Sequence, residues 1–235
     1  MKAMILAAGL GERMRPLTDF LPKPMLSVGG KPLLQYHLEA LAQSGITDVI
    51  INLAHLGEKI VAFVGDGNRF GVEVKYSWEP EPLETAGALL HALPLLGNTP
   101  FILINGDIWS NFSLTQLGQH NLSNPEMAHL ILVPNPEFHS TGDFAIDPQG
   151  VIATNAIMAQ HNLPKYTFSG MSLIHPQLIA GYPNQRQKFP LGEVLRHGIA
   201  RRLITAEVHY GQWRDVGTPE RLALLDFELT QQNLT

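Results

Sequence analysis

The stretch MILAAGLGERMRPLTDFLPKPML, Met4 to Leu26, begins as a buried strand and breaks into glycines. A strand that ends in Gly9-x-Gly11 puts a loop at its carboxyl end, which is where open α/β sheets bind their ligands. Two glycines let backbone N–H groups approach phosphate oxygens closely. The pattern is not a dinucleotide fingerprint, because Met14 stands where the third glycine of Gly-x-Gly-x-x-Gly belongs, and it has no Gly-Lys-[Ser/Thr] of a P-loop. Pro16, Pro22 and Pro24 stiffen the loop. They hold Arg13 and Lys23 in place, and these two cations can neutralise a polyphosphate.

The charge of this stretch is unlike that of the rest of the chain. The protein carries a net charge of −5, yet its first 31 residues set Lys2, Arg13, Arg15, Lys23 and Lys31 against only Glu12 and Asp19. A cationic patch on an anionic protein points to a small anionic ligand rather than a nucleic acid. A chain of 235 residues without cysteine suits one domain in a reducing cytoplasm, with no disulfide or thiolate metal site. No apolar run approaches the roughly 20 residues that span a bilayer. The short core Ala3–Leu10 is followed at once by Glu12, Arg13 and Arg15, unlike a secretory leader. The expectation is a cytoplasmic protein with small-molecule substrates, no nucleic-acid or membrane partner, and a monomeric or small homo-oligomeric state.

Outward from the first strand, apolar runs alternate with helical spacing. Residues 32–45 form a predicted helix, with Leu34, Leu38 and Leu41 on one face, Pro32 at the start and Gly45 at the stop. Strands are predicted at 47–54, 72–79 and 100–106, and helices at 57–67 and 85–97, the last kinked or ended by Pro94. Such alternation implies a mostly parallel sheet with helices on both faces. The second half is less regular, with predicted strands near 128–134, 142–147, 166–174 and 203–210 and helices near 190–201 and 219–232. The ten histidines show no metal-ligand spacing, and His37, His91, His120 and His197 fall in helical stretches as surface or core residues.

LAAGLGERMRPLTDFLPKPML resembles the signature of the sugar-1-phosphate nucleotidyltransferases, and four further segments resemble that family in the same order. EPEPLETAGAL (79–89) is similar to its base-recognition segment and NGDIW (105–109) to its Gly-Asp metal motif. FSGMSLIHP (168–176) is similar to the sugar-site strand and WRDVGTPERL (213–222) to the Trp-x-Asp-x-Gly-Thr-Pro motif. Within the family, PLETAGALLHALPLLG, GDFAID and YTFSGMSLIHP look most like the branch that transfers uridylyl groups to N-acetylmuramate 1-phosphate in peptidoglycan recycling.

The resemblance implies a Rossmann-like, glycosyltransferase-A-like fold over residues 1–235, with a nucleotide half to about residue 110 and a sugar-phosphate half from about 111. The implied reaction joins UTP and a sugar 1-phosphate. Arg13, Lys23 and Asp107 are the implied catalytic residues, and Mg2+ would be held by Asp107 and Asp215. Ala8, Gly9, Gly11, Glu12, Arg13, Lys23, Pro82, Leu83, Ala86 and Gly87 are implied at the nucleotide. Glu84, Asn105, Gly142, Asp143, Lys165, Ser169 and Gly170 are implied at the sugar phosphate. The alternatives are guanylyl transfer to mannose 1-phosphate, thymidylyl or uridylyl transfer to glucose 1-phosphate, and a regulatory nucleotide sensor without turnover.

Two departures from the family pattern stand out. Glu84 occupies a position that is glycine in many relatives. The Glu-Lys-Pro triplet that precedes the sugar-site strand in many relatives is absent, leaving Lys165 as a candidate replacement for its lysine. Arg15 and Lys31 receive no role from the motif and are expected to face solvent.

Overall fold

The apolar run that ends at Gly9 is the centre of the sheet. The computed structural model describes residues 1–232. In chain order its strands and helices are β1 (Lys2–Leu6), β2 (Ser27–Val28), β3 (Lys31–Pro32), α1 (Leu33–Gln43), β4 (Asp48–Leu53), α2 (Gly57–Val64), β5 (Glu73–Trp78), α3 (Glu84–Leu96), β6 (Phe101–Asn105) and β7 (Ile108–Ser110). They continue as α4 (Leu114–Gln119), β8 (Ala128–Val133), β9 (Phe144–Ala145), α5 (Asn155–His161), β10 (Lys165–Ile174), α6 (Pro176–Ala180), α7 (Leu191–Ala200), β11 (Ile204–Val208), β12 (Trp213–Asp215) and α8 (Pro219–Gln232).

The main sheet runs β11-β8-β10-β6-β1-β4-β5, with β9 paired to β10. β1 pairs in parallel with β4 on one side and β6 on the other, so the strand order reverses there and opens a crevice at the carboxyl ends. β10 is antiparallel to both β6 and β8, which makes the sheet mixed although mostly parallel. The doubly covered sheet explains the continuous apolar runs read from the sequence. On one face Met4, Phe101, Leu103 and Leu130 pack against α3, α6 and α7. On the other, Ala3, Ile5, Ile102 and Ile104 pack against residues of α1, α2 and α4. Both sides of every central strand are therefore dry.

Pro94 does not end α3, which runs on to Leu96 and closes on Gly97 at φ 83°. A proline so near the end forfeits a single helical bond, and the Gly97 N–H still reaches the Leu93 carbonyl at 2.9 Å. Three elements carry no periodic signal: the β2–β3 hairpin, the β7–β12 ribbon and the short helix α5. Among the described residues, no helix is long and apolar enough to cross a membrane.

Candidate active site

The strand register sets Leu6, Asn52 and Asn105 level at the carboxyl edge of the sheet. Beyond them the chain turns sharply. The Gly106 N–H donates to the Leu6 carbonyl at 2.9 Å, and a Cβ on Gly106 would stand 2.5 Å from that oxygen, so only glycine lets Asp107 follow β6 so closely. The loop after β1 forms three short 3₁₀ turns. Gly11 is left-handed at φ 65°, and its carbonyl accepts from the Thr18 hydroxyl at 2.8 Å. Met14, Leu26, Val28 and Leu33 under this loop pack against Val216, Leu225 and Leu229, so the C-terminal segment forms its backing.

Two cavities meet at Asn105 and Asp107. The first, of about 220 Å³, is lined by Leu6–Gly9, Lys23, Pro24, Asn52, Glu79 and Pro82–Thr85. Its wall is fixed by a buried chain of hydrogen bonds. Asn52 Oδ1 accepts from the Ala7 N–H at 2.7 Å, Asn52 Nδ2 donates to Glu79 Oε1 at 2.7 Å, and Glu79 Oε2 accepts from the Leu83 N–H at 2.9 Å. Lys23 is almost wholly covered and holds Asp107 Oδ2 at 2.5 Å.

The second cavity, of about 470 Å³, is lined by Arg13, Phe138, His139, Asp143, Thr167–Ser169, Trp213, Asp215 and Arg221 beside the shared Asn105 and Asp107. The β7–β12 ribbon brings the two carboxylates to one rim. Asp215 pairs with Ile108, and the Val216 N–H donates to the Asp107 carbonyl at 2.9 Å. Asp215 Oδ1 is buried without a hydrogen bond of good geometry, although the Arg221 guanidinium lies 3.1 Å away. Arg221 also stacks 4.0 Å over the Phe138 ring. Asp143 is held by the Phe168 N–H at 2.8 Å and by His139 at 2.9 Å. The Trp213 indole donates to the Ser169 carbonyl at 2.8 Å, locking β12 to β10. Behind Asp107, burial pushes the His37 imidazole down to about 4 against the opposing pull of that carboxylate.

The fold therefore gathers Ala8, Gly9, Lys23, Pro82, Leu83, Glu84, Asn105 and Asp107 on one cavity, and Arg13, Asp143, Ser169 and Asp215 on the other. Other expected residues sit behind these walls. The Ala86 and Gly87 N–H groups are both taken by the Phe189 carbonyl, at 3.0 and 3.1 Å, and a Cβ on Gly87 would lie 2.4 Å from the Gln187 carbonyl oxygen. Gly11 and Glu12 shape the loop without lining either cavity. Gly170, at φ 85° in the irregular stretch of β10, makes room for the Asn105 side chain, which a Cβ there would approach to 2.8 Å. Lys165 and Gly142 line a third, neighbouring cavity with Arg196, which Asp143 also borders. Arg15 is exposed and pairs with Asp19 at 3.4 Å, while Lys31 pairs with Glu39.

Three residues that sequence reasoning passed over are central. Asn52 was visible as the one polar residue inside an apolar strand, Glu79 as the first residue of the base-recognition segment, and Arg221 as a cation six residues after Asp215.

A chain with a Gly-x-Gly loop at the switch point of a mixed sheet, paired carboxylates and converging cations has the features of a nucleotidyl-transferring enzyme. The chain belongs to the nucleotidyl transferase family, whose model matches residues 2–232. It is 44% identical over 225 residues to the N-acetylmuramate alpha-1-phosphate uridylyltransferase of Neisseria meningitidis serogroup B, covering 94% of this chain and 95% of that one. It is 33% identical over 226 residues to a glucose-1-phosphate thymidylyltransferase of Streptomyces griseus, covering 92% of this chain but 62% of the longer relative. In fold it is similar to HddC from Yersinia pseudotuberculosis, with a TM-score of 0.76, 24% identity, and coverage of 97% of this chain and 98% of the other. The Bacillus anthracis chain assigned as a glucose-1-phosphate thymidylyltransferase and crystallised with sucrose is similar with a TM-score of 0.84, 23% identity, and coverage of 98% and 95%.

Proposed function

We propose that the chain transfers the uridylyl group of UTP to N-acetylmuramic acid α-1-phosphate, releasing pyrophosphate and giving UDP-N-acetylmuramic acid. The observation that carries this reading is the meeting of two cavities at Asn105 and Asp107, one walled by the glycine loop and residues 82–85, the other by β10 and Arg221. Near-full-length identity to an enzyme named for that reaction supports the choice of substrates.

In this reading the triphosphate lies along the loop after β1, with Arg13 on its distal phosphates and Lys23 on the α-phosphate. The base rests against Pro82 and Leu83, held by the buried Asn52–Glu79 pair. The sugar fills the second cavity. A phosphate oxygen of the sugar 1-phosphate attacks the α-phosphorus as the α–β bridging P–O bond breaks, and pyrophosphate leaves. The nucleophile is already ionised near neutral pH, so the protein needs no general base. Its task is alignment and charge stabilisation.

Asp107 and Asp215 suit a hard divalent cation: two carboxylates at one rim, one with a buried oxygen that lacks a good hydrogen bond. Magnesium held by Asp107 and Asp215 would supply positive charge to stabilise the phosphates as the transfer proceeds. Lys23 would release Asp107 and turn to the α-phosphate. Arg221, rather than Lys165, lies beside Asp215 and is the better placed cation for the sugar phosphate or the lactyl carboxylate. Residues 1–235 would act as one catalytic domain. The lack of cysteine fits a cytoplasmic setting, and the product fits peptidoglycan recycling.

The test is a matrix of four nucleoside triphosphates against N-acetylmuramate, N-acetylglucosamine, glucose and mannose 1-phosphates, read by pyrophosphate release. UTP with the muramic compound should be the fastest pair. A better rate with another sugar, or with GTP, removes the substrate assignment. No turnover with any pair favours the regulatory alternative.

A further inference from the structure

Far from this cleft, the opposite edge of the same sheet carries a second cluster of metal-ligating groups. Among the described residues, His120, Glu126 and His129 bring one ligand atom each within 4.8 Å of one another. Nothing along the sequence marks them as a set. His120 caps α4, Glu126 lies in the following connection, and His129 is the second residue of β8. Through Leu173 of β10, His129 is level with Ile102 near the start of β6, so the cluster sits at the amino end of the strands while Asn105 and Asp107 follow the carboxyl end.

We propose that His120, Glu126 and His129 form a binding site for a divalent transition metal of the zinc class, which clamps the connection after α4 to β8. The argument begins with distance. Glu126 Oε1 lies 2.9 Å from His120 Nε2 and 3.7 Å from His129 Nδ1. Ligands of a tetrahedral zinc ion with bonds near 2.0–2.1 Å are separated by about 3.3 Å, so these two spacings bracket the required edge.

The outer partners fit as well. With Nδ1 as the ligand, His129 Nε2 is left 3.4 Å from Glu207 Oε1, and Glu207 is itself held by the Gln116 amide at 2.9 Å. Metal-bound imidazoles characteristically donate their other N–H to a carboxylate in this way. That buried Nε2 has no hydrogen bond of good geometry to another group. The Thr205 hydroxyl meets Glu126 Oε1 and stands 2.6 Å from His129 Nδ1, supplying a partner that can orient the ligating carboxylate.

Charge points the same way. The Glu126 side chain is about nine-tenths buried, and neither it nor Glu207 has a lysine or arginine within ion-pair distance among the described residues. A buried carboxylate needs a counter-charge. The two imidazoles stack at 3.9 Å, an arrangement that disfavours charging both. Two imidazoles with one carboxylate select zinc, cobalt or nickel over magnesium. The clamp is independent of the reaction proposed for the cleft.

The test uses the metal-stripped full chain in excess Mg2+, which saturates the carboxylate rim. Zn2+ is titrated by calorimetry and Co2+ by its visible absorption. One equivalent should bind, with the intense visible bands of four-coordinate cobalt, and should raise the unfolding temperature. His120→Ala, at a partly exposed position, should weaken binding by roughly 100-fold or more, and Glu207→Gln by roughly tenfold, the range for loss of an outer partner. His120→Ala should leave the Mg2+-supported turnover unchanged. Zinc binding as tight in His120→Ala as in the parent, or no saturable binding in the parent, overturns the proposal. Glu126→Gln provides a second ligand variant should His120→Ala alter the fold.

Discussion

The two cavities that meet at Asp107 are made in different ways. The first is mainly a backbone structure. Glycines, prolines and a buried Asn52–Glu79 pair set its walls, and the segments that form it lie within the first 107 residues. The second is a side-chain structure, drawing Arg13, Phe138, Asp143, Phe168, Asp215 and Arg221 from segments spread over most of the chain. A backbone-built pocket fixes a ligand's shape at low entropic cost and resists change. A pocket built of side chains can be altered one residue at a time. In the proposed reaction the first cavity takes the nucleotide and the second the sugar.

The shared rim is where both depend on the same atoms, so the largest effect is expected there. Asp107→Asn and Asp215→Asn should each lower turnover by roughly 10³-fold or more, several kcal/mol of transition-state stabilisation, with the fold unchanged. Steady-state rates with circular dichroism as a control decide it. Either variant within a few-fold of the parent would show that the carboxylate pair is not the metal rim.

Next come the cations of the loop. Lys23→Ala and Arg13→Ala should each cost about 10²- to 10³-fold in kcat/KM, the usual value of an oriented charge at a transferring phosphoryl group. Arg15→Ala should be nearly silent, because Arg15 is exposed and paired with Asp19. If Arg15→Ala proves the most damaging of the three, the loop has been read in the wrong frame.

Arg221 and Lys165 sharpen the comparison within the sugar side. Hydrogen bonds to charged groups contribute about 1.5–3 kcal/mol, so Arg221→Ala should raise the KM for the sugar 1-phosphate roughly 10- to 100-fold and leave that for UTP nearly unchanged. Lys165→Ala should do little, since Lys165 lines the neighbouring cavity. The reverse ranking would return the anion-binding role to Lys165.

The difference between the cavities also explains what could be read in advance. The parallel core was legible because strands covered on both faces must be apolar throughout, as in Phe101–Ile104. The loop was legible because glycine and proline constrain backbone locally. The β7–β12 ribbon was not, because three-residue strands carry no period, and the approach of Asp215 to Asp107 is settled by pairing across more than a hundred residues. Arg221 was hidden for a related reason. Its side chain reaches Asp215 over Gly217, where a Cβ would stand 2.0 Å from the guanidinium. The histidine cluster depends on the β8–β11 pairing that sets His129 beside Thr205.

Glu84 is the one place where the backbone-built cavity breaks its own rule. It starts α3 at φ 59°, in the left-handed region, and lines the first cavity. This gives a physical reason for the glycine that many relatives carry there, since a residue with a Cβ holds that conformation at a cost of about 1 kcal/mol. Strain retained at a pocket wall points to a use for the side chain. Glu84→Gly should therefore release that strain, offset in part by glycine's greater freedom in the unfolded chain, for a net change within about 1 kcal/mol. It should at the same time lower kcat/KM for the muramic substrate by about tenfold, the value of one hydrogen bond to a charged group. Glu84→Ala separates the two effects, because it keeps the strain and removes the carboxylate. If Glu84→Ala is as active as the parent, the carboxylate has no part in substrate binding, and the left-handed turn alone sets the shape of that wall.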